Sequence, residues 1–143
     1  MIRLLGRSTS GNVQKVLFVL EEIGAKYTRE DYGRQFNNTQ TPEYKKLNPN
    51  SKVPTLIDGE TVIWESHTIL RYLAALHKPA LTGSTPAEKS YVERWMDWLL
   101  ASLNTPYVAV FKDAILARTT VEARAVINTK IEIDCIAYKP LNK

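Results

Sequence analysis

The spacing of apolar residues along the first half of the chain alternates between that of strands and that of helices. Apolar side chains at 13, 16, 17, 20 and 23 lie on one face of a predicted helix over residues 13–23, and Gly24 is expected to end it. Residues 2–5 and the polar-alternating residues 25–32 predict strands on either side of this helix. A short helix is predicted over residues 42–47.

A hairpin and a further helix follow. Two short β-branched runs, 55–57 and 61–64, flank Asp58-Gly59, which is a strong turn signal. From residue 65, apolar positions at helical spacing predict an amphipathic helix that ends near His77. The order β-α-β-α-β-β-α indicates a mixed sheet with helices packed on it.

The pattern changes after residue 78, so we expect an α/β domain over 1–78 and a helical domain over 87–143. The stretch 79–86, rich in Pro, Gly, Ser and Thr, is predicted to connect them. A strong helix is predicted for 87–103, and Pro106 is expected to kink or interrupt it before helical character resumes.

Composition narrows the class of protein. The chain has 143 residues, 44% hydrophobic and 24% charged, with a net charge of +4. The basic residues are scattered, so no nucleic-acid arm is predicted, although this balance suits a small anionic ligand. Cys135 is the only cysteine, which excludes an intrachain disulfide and a cysteine-based zinc site, and no metal is predicted. We expect a cytoplasmic protein without a membrane partner, because no apolar run approaches membrane-spanning length.

The start of the third helix carries candidate chemistry. Ser66 is expected to be the N-cap, with the carboxylate of Glu65 directly before it. A helix N-terminus attracts an anion and Glu65 attracts a cation, so together they suit the zwitterionic head of an amino acid. The alternative, which spacing alone favours, is an ordinary N-cap serine beside an exposed glutamate.

Several motifs in order give a resemblance to a known family. The chain resembles the bacterial, serine-type (theta/nu-like) branch of the cytosolic glutathione S-transferases. The resemblance implies a thioredoxin-like N-terminal domain and an all-α second domain, expected here to be shortened because the match fades near residue 126. The matching motifs are STSGNVQKV (8–16), TPEY (41–44), LNP (47–49), KVPTL (52–56), WES (64–66), ILRYL (69–73) and ERWMDW (93–98).

The resemblance implies glutathione as co-substrate and assigns its contacts. Ser66 and the helix N–H groups would take the γ-glutamyl carboxylate, and Glu65 the ammonium. Val53-Pro54 would be a cis bond, with the Val53 backbone pairing with the peptide part of the ligand; the alternative is a trans proline at an edge strand. Lys52 would take the glycine carboxylate, or else be an ordinary exposed lysine.

The thiol of glutathione must be held as a thiolate, and the resemblance assigns this to Ser10, with Asn12 as a second donor. Hydroxyl and N–H donors at a helix N-terminus are suited to stabilising an anion. Ser10 would donate to the sulfur and would not itself be the nucleophile. The alternative, compatible with this role, is that Ser10 or Asn12 is the N-cap of the first helix.

The function implied is a glutathione transferase that conjugates glutathione to small hydrophobic electrophiles. The alternatives are a non-catalytic glutathione- or ligand-binding protein and a glutathione-dependent disulfide or peroxide reductase. A homodimer is expected, because Trp95 and Trp98 form an apolar stripe on the predicted helix. His67 and His77 are expected to have surface or packing roles.

Overall fold

The computed structural model of the protein describes residues 1–111, 123–124 and 130–131. The chain divides into two compact units between Thr82 and Gly83, and each unit is described by itself. Helical character is predicted over residues 108–118, and the part of it beyond residue 111 lies outside the described residues, as does the cysteine at 135.

The first unit contains a four-stranded mixed sheet, as the alternating pattern predicts. Its strands are β1 (Ile2–Leu5), β2 (Tyr27–Glu30), β3 (Thr55–Asp58) and β4 (Thr61–Trp64), in the order β2-β1-β3-β4. β1 and β2 are parallel, whereas β3 is antiparallel to both of its neighbours. The second strand is shorter than predicted.

Three helices accompany the sheet: α1 (Gly11–Glu22), α2 (Pro42–Leu47) and α3 (Ser66–His77). The predicted limits of α2 are confirmed, and α1 begins two residues earlier than predicted. Gly24, just past α1, has a positive φ of 65° that glycine adopts without strain. The apolar faces of α1 and α3 bury the core with β1 and β3, through Leu4, Val13, Val16, Leu20, Leu56, Ile69 and Leu73.

The prediction of Ser66 as the N-cap of α3 is wrong, since Glu65 occupies that position. The pairing of Trp64 with Thr55 continues β4 to Trp64, so a single residue must turn the chain from strand to helix. Glu65 makes this turn with φ 70° and ψ 117°, and its carbonyl accepts the N–H of Ile69 at 3.0 Å. Such a backbone conformation is rare for a residue with a side chain, and it is often found at functional sites.

The second unit begins with α4 (Pro86–Trp98). Thr85 caps this helix in a reciprocal capping box: its hydroxyl accepts the Glu88 N–H at 3.2 Å, and the Glu88 carboxylate accepts the Thr85 N–H at 3.0 Å. The helix predicted for 87–103 is α-helical only to Trp98.

The α-helix gives way to a π-helical turn, Leu99–Leu103, and then α5 (Asn104–Phe111). Pro106 lies in the first turn of α5 and has no N–H to donate to the carbonyl four residues earlier, which explains an interruption at this point. Two short antiparallel strands, β5 (Ala123–Arg124) and β6 (Lys130–Ile131), complete the described part; the sequence pattern around β6 fits both helix and strand.

Within the described residues, no helix combines the length and the apolar character needed to cross a membrane. The same part of the chain has no cluster of three or more His, Cys, Asp or Glu side chains placed to hold a metal ion.

Candidate functional site

A cleft of about 260 Å³ opens in the first unit, at the end of the sheet where β1 stops and β3 starts. Leu5, at the end of β1, pairs with Thr55, at the start of β3, so the loop after β1 meets the segment before β3. The residues that line the cleft are Arg7, Ser10, Asn12, Gly33, Arg34, Thr39, Ser51, Lys52 and Val53.

A smaller cavity of about 40 Å³ adjoins this cleft and shares three residues with it. Because Thr55 also pairs with Trp64, the turn into α3 emerges beside the residues that precede β3. The Val53–Pro54 peptide bond is cis, as the resemblance implies. The cavity is lined by Asn12, Asn48, Lys52, Val53, Pro54, Glu65 and Ser66, so the two spaces together bring all the predicted site residues close to one another.

Ser10 is buried at the N-cap of α1, but its hydroxyl does not cap the helix. Its backbone holds the loop in place, with the N–H donating to the Arg7 carbonyl at 3.2 Å and the carbonyl accepting the Gln14 N–H at 2.9 Å. The hydroxyl therefore remains as a donor at the wall of the cleft, beside the N-terminus of α1.

Asn12 and Ser66 connect the first turns of α1 and α3. The Ser66 hydroxyl donates to Asn12 Oδ1 over a long 3.5 Å. Since Oδ1 is the acceptor in this contact, the amide NH₂ of Asn12 is the donor that it can offer to another partner. Two of the predicted ligand-binding residues are thus joined to each other across the smaller cavity.

The backbone of Lys52 is held by two side chains of the motifs TPEY and LNP that were assigned no role from the sequence. Its carbonyl accepts the Tyr44 hydroxyl at 2.6 Å and the Asn48 amide at 2.8 Å. Both side chains also contact the Thr55 hydroxyl, at 2.9 and 3.1 Å, in a largely buried network. This network fixes the segment that lines both cavities through Lys52 and Val53. The signal for this network in the sequence was a pair of polar side chains four residues apart, with Tyr44 on α2 and Asn48 just after it.

Arg7 and Arg34 line the cleft and were also missed by the sequence predictions. Burial lowers the pKa of the Arg7 guanidinium, and the positive charge of Arg34 lowers it further. The signal in the sequence was weak, because one arginine follows β1 and the other follows β2, and only their parallel pairing brings the two strand ends together.

Lys15 and His67 form a contact between α1 and α3, with Lys15 Nζ 3.0 Å from His67 Nε2. His67 is buried, in agreement with the packing role that was one of the two expected for it. Burial lowers the pKa of Lys15 to about 8, while the negative charge of Glu65 opposes that shift. The Lys15 ammonium is therefore close enough to the Glu65 carboxylate to interact with it electrostatically.

Comparison with known proteins shows the family of the chain. The family model for the glutathione S-transferase N-terminal domain matches residues 2–75, just over half of the chain. The chain belongs to the glutathione S-transferase family. The prediction of a thioredoxin-like N-terminal part is confirmed, and helices α4 and α5 follow it as expected.

Individual glutathione S-transferases agree with this assignment. The chain is 39% identical over 127 residues to glutathione S-transferase GstB of Escherichia coli K12, a match that covers 87% of this chain and 60% of that protein. The crystal structure of a theta class glutathione S-transferase from Xanthomonas axonopodis pv. citri with glutathione bound is 43% identical, with a TM-score of 0.78. That match covers 81% of this chain and 56% of that chain. The chain thus spans little more than half the length of these relatives.

Not every relative in the family is named a transferase. Elongation factor 1-gamma 3 of rice (Oryza sativa subsp. japonica) is 32% identical over 120 residues, covering 74% of this chain and 29% of that protein. Membership of the glutathione S-transferase family therefore shows the fold without by itself deciding the activity.

Proposed function

We propose that the chain binds glutathione along the cleft and conjugates it to small hydrophobic electrophiles. The observation that carries this proposal is the convergence of three separate segments, 10–12, 52–54 and 65–66, on two adjoining cavities. The Xanthomonas relative, described as having glutathione bound, supports the choice of ligand.

The smaller cavity is the proposed site of the γ-glutamyl head. The ligand carboxylate accepts hydrogen bonds from N–H groups at the start of α3, where the helix dipole also favours an anion. It also accepts the Ser66 hydroxyl, whose single proton leaves the long contact with Asn12 Oδ1 when the ligand binds. Glu65 takes the ammonium in a charge-assisted hydrogen bond. Although Glu65 and not Ser66 is the N-cap, both residues line this cavity, so the proposed pair of contacts is kept.

The peptide part and the glycine end occupy the larger cleft. The backbone N–H and carbonyl of Val53 pair with the ligand as an added strand would, and the Lys52 ammonium takes the glycine carboxylate. Support for this placement comes from the buried network of Tyr44 and Asn48, which holds the Lys52 carbonyl and so limits the motion of the segment.

Ser10 is the proposed catalytic residue, with Asn12 as a second donor. A free thiol has a pKa near ~8.5, so the thiolate that attacks an electrophile must be stabilised at neutral pH. The Ser10 hydroxyl donates a hydrogen bond to the sulfur, and the N-terminus of α1 adds a favourable field. The hydroxyl is available for this role because it does not cap α1.

Replacing Ser10 by alanine tests this role. We expect Ser10→Ala to lower kcat/KM for conjugation of a chloronitrobenzene by about 100- to 1,000-fold, the range for loss of one donor to a reacting anion. The dissociation constant for glutathione should change by less than about threefold, because the other contacts remain.

The control is Ser8→Ala, the same chemical change at an exposed serine of the same loop that lines neither cavity. It should leave the conjugation rate unchanged. If Ser10→Ala and Ser8→Ala have equal rates, Ser10 does not stabilise the thiolate.

A second candidate is a binding module without turnover. The similarity to an elongation factor supports this candidate, because that relative is not named a transferase. Saturable binding of glutathione, with no conjugation of any chloronitrobenzene or epoxide in a panel, selects this candidate over the transferase.

A further inference from the structure

The proposed binding of glutathione leaves two cations of the cleft unused. Lys52 takes the glycine carboxylate, and Ser66 with α3 takes the γ-glutamyl carboxylate, so Arg7 and Arg34 have no anion to bind. We propose that Arg7 and Arg34 form a subsite for a carboxylate group additional to the two of glutathione. This inference rests on the proposed function and extends it to the kind of ligand that the same cleft prefers.

The backbone fixes both arginines at the cleft. The Arg7 N–H donates to the Tyr32 carbonyl at 3.1 Å and the Arg7 carbonyl accepts from Ser10, so the loop after β1 is held from both sides. Arg34 begins the short 3₁₀ helix Arg34–Phe36 with φ 42°. The two side chains therefore come from different loops and line one space.

Gly33 allows the close approach of the Arg7 guanidinium. Its φ of 86° is unfavourable for any residue with a side chain, and a Cβ at this position would lie 3.0 Å from Arg7 Nη1. Arg7 Nε is buried and has no hydrogen-bond partner within the described part of the chain. A buried, unsatisfied donor of a cation is costly, and a bound anion removes that cost.

The two arginines within the strands of the sheet are paired with carboxylates. Arg3 Nε lies 2.6 Å from Glu30 Oε1, and Arg29 forms an ion pair with Asp31. For Arg7 and Arg34, no carboxylate of the described residues lies within ion-pair distance. The arginines of β1 and β2 are thus neutralised within the fold, whereas the charges of Arg7 and Arg34 can be neutralised by a ligand.

The charge balance of the cleft points to an anion. Its lining contains three cations, Arg7, Arg34 and Lys52, and no carboxylate. Burial and the charge of Arg34 both lower the pKa of Arg7, so its guanidinium is less well stabilised here than in water, and a bound anion offsets that loss. Two guanidinium groups suit a carboxylate because each offers planar, paired N–H donors.

The additional carboxylate has two sources, the thiol peptide or the electrophile. Calorimetry compares glutathione with γ-glutamylcysteinylglutamate, which carries a third carboxylate at its C-terminal residue. Conjugation assays compare a chloronitrobenzoate with its methyl ester, each rate divided by the uncatalysed rate. All measurements are made at one ionic strength, because exposed charges are screened by salt.

We expect the wild type to favour the carboxylated member of at least one of these pairs. Arg7→Gln and Arg34→Gln should each reduce that preference about tenfold, the typical effect of losing a hydrogen bond to a charged group. Their affinity for glutathione should stay within about threefold of the wild type. The control Lys26→Gln removes the same unit charge at an exposed site outside both cavities, and should leave the preference unchanged.

The pair that shows the preference identifies the source of the carboxylate. Equal binding and equal normalised rates within both pairs, or a preference that survives both arginine variants, overturn the subsite while the binding of glutathione stands. A wild type that does not bind glutathione at all overturns the proposed function, and the subsite fails with it.

Discussion

At the scale of single residues, the burial of the Lys15 ammonium destabilises the folded state. Its pKa is lowered to about 8 from the model-peptide value of 10.5, first by burial, with the charge of Glu65 opposing. The folded state therefore binds fewer protons than the unfolded state between these two values. The Lys15 penalty is fully present below pH 8 and disappears as the pH rises towards 10.5.

This penalty can be measured with Lys15→Met. Between about pH 7 and about pH 10, we expect the free energy of unfolding of the wild type to rise by about 1–3 kcal/mol relative to that of Lys15→Met, because only the wild type loses the Lys15 penalty. Urea unfolding of both proteins at the two values gives the difference, in which the titration of distant tyrosines cancels. A difference that is constant or falls with pH contradicts a lowered pKa.

The residues of the site were predictable to different degrees. Ser10, Asn12 and Ser66 were predicted because they lie within continuous motifs that resemble the family. Arg7 and Arg34 were missed because each follows a different strand, and only the parallel pairing of β1 and β2 brings them to one cleft.

At the scale of elements, Gly6 sets how closely β1, α1 and the segment before β3 approach. A Cβ on Gly6 would lie 2.5 Å from Val13 Cγ2 and 3.4 Å from Val53 Cβ. Val13 is fully buried and β-branched, so its side chain has few alternative rotamers. Gly6→Ala must therefore move α1 or the wall of the cleft.

We expect Gly6→Ala to reduce the free energy of unfolding by about 1–3 kcal/mol, as overpacking of a core does. Gly11→Ala is the matched control, because Gly11 lies in the first turn of α1 with nothing within 4 Å of its added Cβ. It should be neutral or stabilising, by up to about 1 kcal/mol. Equal urea midpoints for the two variants argue against this close approach.

The start of α3 shows why element boundaries were harder to predict than elements. The period of apolar residues predicted the helix correctly, and a serine in its first turn is a typical N-cap signal. The pairing of Trp64 with Thr55 decides the boundary instead, and it leaves Glu65 as the turning residue. Register between strands is a tertiary property that local spacing does not contain.

At the scale of the whole molecule, the two units differ in how much they contribute to the proposal. All residues of the proposed site lie in the unit Met1–Thr82, whose fold was predicted from alternation and motifs. The homodimer stays a prediction. Several large apolar side chains of the second unit are exposed, and a second copy of the chain is the partner expected for them: Tyr91, Trp95, Trp98 and Leu100.

Titration calorimetry shows directly whether the chain binds glutathione at the proposed site. We expect saturable binding at one site per chain, with a dissociation constant between about 1 μM and 1 mM. Ser66→Ala, which removes the hydroxyl at the γ-glutamyl site, should weaken binding about tenfold, whereas Ser8→Ala should bind as the wild type does. No saturable binding at either of two temperatures, or equal affinity for wild type and Ser66→Ala, would contradict the proposed site.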